Sequence, residues 1–341
     1  MPDDRFLFVE QPNAQKPKID KALIDASPTG QTLFYSERAD RMVPSEFSPV
    51  FEGILSQLAD AGTMLDMTPL RLILFTPDLS DGVKRWQREL ALPEAGVSQQ
   101  PEGEVGGKTM SWGTDAASAR TIVLLYDALA YAATQNNSFA ISTVAHELGH
   151  VSDYFLRGMS FGFPVSGSVP AISDWPGICR AIADSVWSEY AAESVAVAFM
   201  SEENVEEFRA NDILYLGGID GRLRELIAAY KLGQLELGSL WSRSVTDLFN
   251  NFSNLGRACA RLPVNADESV ESRRLAGQDG AAQWSPLIEK LFAELRTLRE
   301  KRYEDWRATP FSGIEEAVKL GFQTLGLFPA YDGLDLRVRV R

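Results

Sequence analysis

Residues 138–157 read SFAISTVAHELGHVSDYFLR, and this stretch predicts a long amphipathic helix. Asparagines 136 and 137 and Ser138 supply the N-cap chemistry that starts a helix. The apolar residues recur at the spacing of one helix face: Ile141, Val144, Leu148, Val151 and Phe155. At about 100° per residue, His146 and His150 fall nearly opposite that apolar face. We therefore expect a helix that buries one face in a core and turns both histidines toward a cleft.

The segment His146-Glu147-Leu148-Gly149-His150 has the pattern HExxH, which is typical of zinc-dependent hydrolases. Residues four apart lie one above the other on a helix, so both imidazoles can bind one metal ion. Glu147 is then placed beside the ion as a general base. The chain has only two histidines, and both lie in this motif. The alternative is a pair of packed or surface histidines on an amphipathic helix.

A catalytic zinc ion needs a third protein ligand and an open position for water. Because no third histidine exists, that ligand must be a carboxylate or, as a weaker alternative, a thiolate. Residues 188–194, SEYAAES, offer Glu189 and Glu193 on one stripe of a predicted helix. The other members of this stripe are apolar: Ile182, Val186, Ala196 and Met200. Two carboxylates on an apolar face are costly unless a cation compensates them, which favours a metal site.

The carboxylates and the cysteine near this motif have alternative interpretations. Glu189 and Glu193 would flank a solvated face if Ala191, Val195 and Ala198 were buried instead. Asp153 lies near the histidine face, but reaching the same ion from three residues beyond His150 is awkward in a regular helix. We expect Asp153 to support the site from outside or to pair with Arg157. Cys179 is expected to be a core cysteine rather than an inhibitory zinc ligand.

The arrangement resembles the gluzincins, in which HExxH is followed by a glutamate ligand. The nearest resemblance is to the group that contains the anthrax lethal factor catalytic domain and the MtfA-type bacterial peptidases. Asp153 and Glu189-Tyr190-Ala191-Ala192 stand at positions that match motifs of that group. The resemblance is confined to this region of the chain. It implies one Zn²⁺ per chain, bound by His146, His150 and Glu189.

The same resemblance assigns roles to further residues. It implies that Glu147 is the catalytic base and that Glu193 accepts a hydrogen bond from a ligand histidine. Lethal factor-type enzymes carry a tyrosine two turns before the ligand glutamate, and this tyrosine is thought to stabilise the oxyanion. Ile182 occupies that position here, so the role falls to another residue, such as Tyr154 or Tyr190, or is unfilled.

The wider pattern predicts an α+β fold, with a zincin-like small mixed sheet over the HExxH helix and a mainly helical C-terminal part. We expect an N-terminal arm over 1–43, a catalytic core over 44–201 and a helical subdomain over 202–341. Strands are predicted over 70–75, 109–113 and 120–126, and either of the last two is a candidate edge for binding a peptide. Alternation of arginine with apolar residues predicts a strand at the C-terminus. Loops are expected over 93–108 and 158–177, the latter as a lid with Phe161, Phe163 and Trp175 or as a plain solvent loop.

Composition narrows the function classes. The net charge of −14 disfavours binding to nucleic acid or to anionic membranes. Two cysteines and an acidic start, without a signal peptide or an apolar spanning segment, predict a cytoplasmic protein. The sequence predicts a zinc-dependent endopeptidase that acts on a protein or peptide. The alternatives are a catalytically silent zincin-fold binding or regulatory module and a hydrolase of non-peptide amides.

Overall fold

A computed structural model describes residues 6–8, 19–37, 44–92, 106–163, 175–263, 265–277, 282–306, 309–332 and 335–341. The chain divides into two compact units. The first comprises Met1–Ser168 and Ala192–Ser201, and the second comprises Val169–Ala191 and Glu202–Arg341. One division coincides with the predicted boundary after residue 201. Residues 169–191, by contrast, belong to the second unit and not to the predicted catalytic core.

The first unit contains a five-stranded sheet in the order β1-β2-β3-β5-β4. Strands β1 (Phe6–Phe8), β2 (Thr32–Ser36), β3 (Leu70–Thr76) and β5 (Arg120–Tyr126) run parallel. Strand β4 (Gly107–Trp112) pairs antiparallel with β5 at one end of this order. The small mixed sheet is therefore as expected.

Helices cover both faces of this sheet. Helices α1 (Lys21–Ala26) and α3 (Leu79–Glu89) pack on one face, where their core includes alternate residues of the central strands, such as Leu72 and Leu124. The opposite face is packed by α2 (Pro44–Asp60), α4 (Asp127–Thr134) and α5 (Ser138–Phe161), together with Val195 farther along the chain. Because β3 and β5 are covered on both sides, their sequences are continuous apolar runs rather than alternating ones.

Helix α5 carries the HExxH motif and confirms the predicted helix. Its N-cap is Asn137, whose side-chain oxygen accepts a hydrogen bond from the backbone N–H of Ala140 at 2.9 Å. Val144 and Leu148 of the apolar stripe lie in the core against the sheet. The helix runs past the predicted end, to Phe161.

The predicted arm over 1–43 differs from the structure, because β1, α1 and β2 lie within it and join the sheet unit. Strand β2 is buried along its whole length. A short strand that is buried on both faces shows no polar–apolar alternation, so its pattern was weak.

The second unit is helical apart from one hairpin, within the residues described. Helix α6 (Trp175–Ala196) begins in this unit, and its last residues, from Ala192, belong to the first. The further helices are α7 (Glu202–Lys231), α8 (Leu237–Ala260), α9 (Glu268–Ala276), α10 (Ser285–Arg299) and α11 (Ser312–Thr324). Trp284, Phe252 and Phe292 are fully buried at its centre.

The predicted C-terminal strand is confirmed as β7 (Asp335–Val340), which pairs antiparallel with β6 (Leu327–Asp332). Its arginines at 337, 339 and 341 are exposed, whereas Val338 and Val340 pack against the core of the second unit. This alternation is the pattern expected of a strand with one solvated face. In the described part of the chain, no helix has the length and apolar character needed to span a membrane.

Two predicted loops lie partly outside the described residues. Residues 93–105 of the first and residues 164–174 of the second are not described, whereas 107 and 108 already belong to β4. Phe161 is the last residue of α5, and Phe163 packs against the ring of Tyr154 with centroids 5.6 Å apart. Trp175 begins α6 and packs against Trp241 and Phe322 of the second unit.

Candidate metal centre

The two histidines of α5 face one another with their Nε2 atoms. Nε2 of His146 lies 3.1 Å from Nε2 of His150. Two imidazole nitrogens bound to one zinc at about 2.0–2.1 Å in tetrahedral geometry would be roughly 3.3 Å apart. The pair therefore has nearly the spacing that a shared ion requires, as the four-residue spacing predicted.

The other ring nitrogen of His146 is held by a carboxylate. Nδ1 of His146 lies 2.9 Å from Oε2 of Glu193, and the Glu193 side chain is only 5% exposed. If Nδ1 donates this hydrogen bond, the lone pair of Nε2 is directed toward His150. Carboxylates commonly fix ligand histidines in this way. The structure thus brings Glu193 to the place that the resemblance implied for it.

Glu189 lies one turn before Glu193 on α6. His146, His150 and Glu189 each offer one ligand atom, and these three atoms all lie within 4.8 Å of one another. Two imidazoles and one carboxylate form a donor set that suits zinc, with a fourth position left for water. The three residues could therefore hold a metal ion, and their donor types suit the zinc that the sequence predicted.

The stripe predicted for α6 is also seen in its burial. Ile182, Val186, Glu193 and Ala196 are buried and Glu189 is half-buried, whereas Ala198, in the turn after the helix, is exposed. The burial of Glu193 favours the predicted stripe over a solvated glutamate face, although Val195, which the alternative would bury, is buried as well. A cation does lie beside Glu189, since Nε of Arg257 on α8 is 3.3 Å from Glu189 Oε2. No local pattern predicts this contact, because Arg257 is distant from Glu189 along the chain.

Gly149 lets the end of α6 approach α5 closely. A Cβ atom built on Gly149 would lie 2.7 Å from the backbone Cα of Ala192. Backbone cannot move aside as a flexible side chain can, so any larger residue forces the helices apart.

Replacing Gly149 with alanine is expected to lower the free energy of unfolding by about 1–3 kcal/mol, because the added methyl overlaps the Ala192 backbone. Thermal unfolding measures the effect. Gly217→Ala on α7 is the matched control, since a Cβ there meets nothing within 4 Å and should slightly stabilise its helix. Equal stability of Gly149→Ala and the wild type would show that the close approach is not enforced.

Glu147 is buried, with 5% of its surface exposed, and it faces strand β4. The hydroxyl of Thr109 lies 2.6 Å from Glu147 Oε2 and 3.0 Å from the Glu147 backbone oxygen. Gly107 lies next to the same side chain, where a Cβ would be 2.7 Å from Glu147 Cγ. The sequence offered β4 and β5 as candidate edge strands, and β4 is the one at the end of the strand order.

Asp153 pairs with Arg157 rather than joining the ligand group. Nη2 of Arg157 lies 2.7 Å from Oδ2 of Asp153, and both side chains are buried. This was one of the two roles predicted for Asp153. Such a buried pair ties successive turns of α5 together just beyond His150.

The two candidate tyrosines occupy different apolar surroundings. Tyr154 packs with Ala119, Phe155 and Phe163, and burial raises the pKa of its hydroxyl to about 12. Its hydroxyl has no hydrogen-bond partner among the described residues. Tyr190 lies in the core of the second unit, where burial raises its pKa and a hydrogen bond with Arg299 acts in the opposite direction. These placements favour packing roles for both rings.

Ile182 and Cys179 are core residues of the second unit. Burial raises the pKa of the Cys179 thiol to about 12, so it stays protonated near neutral pH. This agrees with the expected core role of Cys179. Ile182 is apolar and buried, so it takes no part in stabilising an oxyanion.

Comparison of the chain with protein-family models, with curated proteins and with solved structures gives no match.

Replacing Glu193 with glutamine is expected to weaken zinc binding about 10- to 100-fold, because the neutral amide no longer polarises His146. Competition with a chromophoric chelator measures the affinity. Glu203→Gln, which changes an exposed carboxylate of α7, is the control and should leave affinity unchanged. Equal affinity of the Glu193 variant and the control would contradict the supporting role of Glu193.

Proposed function

We propose that this protein is a zinc-dependent endopeptidase that hydrolyses a peptide bond in a specific protein substrate. The observation that carries the proposal is the convergence of His146, His150 and Glu189, whose ligand atoms lie within 4.8 Å of one another. The buried Glu147 follows His146 directly in this motif. A purely structural zinc site has no need of such a base beside its ligands.

Zinc bound by these three side chains would act as a Lewis acid, lowering the pKa of a bound water and polarising the scissile carbonyl. Glu147 accepts a proton from the attacking water and passes it to the leaving amine as the C–N bond breaks. Glu193, which lies 2.9 Å from Nδ1 of His146, would hold that ring so that Nε2 is free to bind the ion. The protein side chains thus supply the base and the orientation that hydrolysis requires.

Strand β4 is the proposed site for the peptide. It lies at one end of the sheet order, and its Thr109 contacts the catalytic helix at Glu147. An edge strand offers unpaired main-chain groups with which an extended peptide can pair. The mixed sheet with an antiparallel edge strand next to the HExxH helix is the arrangement that a zincin-like enzyme needs, and it supports the proposal.

A catalytically silent zincin-fold binding module is the second candidate. It is favoured by Ile182 at the position of the expected tyrosine and by the burial of Tyr154 and Tyr190. Under this proposal the site still binds zinc, but no residue stabilises the developing oxyanion. The retained Glu147 favours the enzyme.

Metal content and cleavage of a complex peptide library distinguish the two candidate functions. We expect about one zinc per purified chain and library cleavage that stops with a chelator and returns with added zinc. Zinc binding without any cleavage would support the silent module. Absence of zinc after reconstitution would overturn both candidates.

A further inference from the structure

A threonine of the edge strand holds the candidate catalytic base. The Oγ1 atom of Thr109 lies 2.6 Å from Oε2 of Glu147 and 3.0 Å from the Glu147 backbone oxygen. A hydroxyl has one proton to donate, and the carboxylate is the closer acceptor. Hydrogen bonds to a carboxylate are shorter and stronger than those between neutral groups. The main contact of Thr109 is therefore with the charged end of Glu147.

The strand is shaped so that this contact can form. Gly107 and Thr109 lie on the same face of β4, which is the face toward Glu147. Met110 points to the other face and packs in the opposite core. A side chain at position 107 would meet Glu147 Cγ at 2.7 Å, so glycine is what lets the strand approach the helix. This approach brings the Thr109 hydroxyl within hydrogen-bond distance.

The bond restrains the carboxylate of Glu147 at the Oε2 atom. Glutamate has three rotatable bonds, and a general base is efficient only within hydrogen-bond reach of the proton that it removes. Holding one carboxylate oxygen against β4 limits the positions that the group can take. Misplacement of a reacting group by about 1 Å is enough to reduce catalysis about 100-fold.

We propose that Thr109 is a positioning residue for Glu147, which aligns the base with the strand along which the peptide binds. This inference rests on the proposed function. It predicts that loss of the hydroxyl impairs the chemical step and leaves substrate binding nearly intact, because Thr109 acts through Glu147.

The test compares Thr109→Val, which removes the hydroxyl at nearly constant shape, with Thr109→Ser, which keeps it. On a peptide identified from the library, Thr109→Val should lower kcat about tenfold and change KM less than about twofold. Thr109→Ser should restore kcat to within about twofold of the wild type. The matched control is Thr121→Val on β5, whose hydroxyl contacts Ser111 at 2.9 Å and should not affect kcat. Unchanged kcat in Thr109→Val, or equal defects in Thr109→Val and Thr109→Ser, would overturn the proposal.

A second measurement does not need activity. Thr109→Val should lower Tm by roughly 2–4 °C in the wild type, as expected for losing a hydrogen bond to a charged group in a chain of this size. In a Glu147→Met background the same substitution should lower Tm by less than half as much. Equal losses in the two backgrounds would show that Thr109 does not act on the Glu147 carboxylate. If the wild type cleaved no peptide, the proposed function would be overturned. The difference in Tm loss between the two backgrounds would still test the contact between Thr109 and Glu147.

Discussion

Replacing Glu147 with glutamine is expected to reduce peptide hydrolysis by about 10²- to 10⁴-fold, while zinc content stays near that of the wild type. The amide keeps the shape of the side chain and can still accept the Thr109 hydrogen bond. It cannot take a proton from water, so the step that needs a base is lost. Library cleavage rates and metal content, measured on the same preparations, test both parts of the prediction.

The control for this experiment is Glu203→Gln, which makes the same chemical change at an exposed position of α7. It should retain the wild-type rate and the wild-type zinc content. Cleavage at the control rate by Glu147→Gln would show that another residue is the base. Loss of zinc from Glu147→Gln would show instead that Glu147 supports the metal.

Replacing Glu189 with alanine should abolish stable zinc binding, with metal content falling from about one ion per chain to less than about 0.1. Two imidazoles at 3.1 Å remain, but the anionic ligand is gone and Arg257 loses the carboxylate beside it. The positive charge of Arg257, left beside the site, further disfavours the binding of a zinc ion. The increase in Tm on adding zinc should disappear together with the metal.

Asp153→Asn is the control for the ligand assignment. It removes a carboxylate from α5 that pairs with Arg157, so the protein should lose stability but keep its zinc. If Asp153→Asn lost zinc and Glu189→Ala kept it, the third ligand would be Asp153. Zinc retained at full content by both variants would mean that the two histidines need neither carboxylate.

The elements with strong local patterns were predictable. Strand β5 was predicted with the bounds that the structure shows, because TIVLL is a compact run of β-prone residues. Helix α5 followed from its apolar stripe and its N-cap. Helix α4 was not predicted, since a short alanine-rich segment directly after a strand has little amphipathic contrast. Helix α9 was missed for a related reason, as it is short and mostly polar.

Within the site, residues on one helix were predictable and contacts between elements were not. The helical period relates His146 to His150, and it relates Glu189 to Glu193. Thr109 lies on a strand 38 positions from Glu147, and nothing in its neighbouring residues points to a carboxylate. Arg257 likewise meets Glu189 only because α8 packs against α6. Such contacts depend on the register between elements, which periodicity does not fix.

The close approach at Gly149 bears on the transfer of this motif to other scaffolds. Copying the histidines and glutamates onto a designed helix would not reproduce the site by itself. The host must also bring a second helix backbone so close that a Cβ at the glycine position would overlap it, as a Cβ on Gly149 would lie only 2.7 Å from Ala192 Cα. Only glycine permits so close an approach. A transfer of the site would therefore have to include two helices at a fixed spacing, and not the pentapeptide alone.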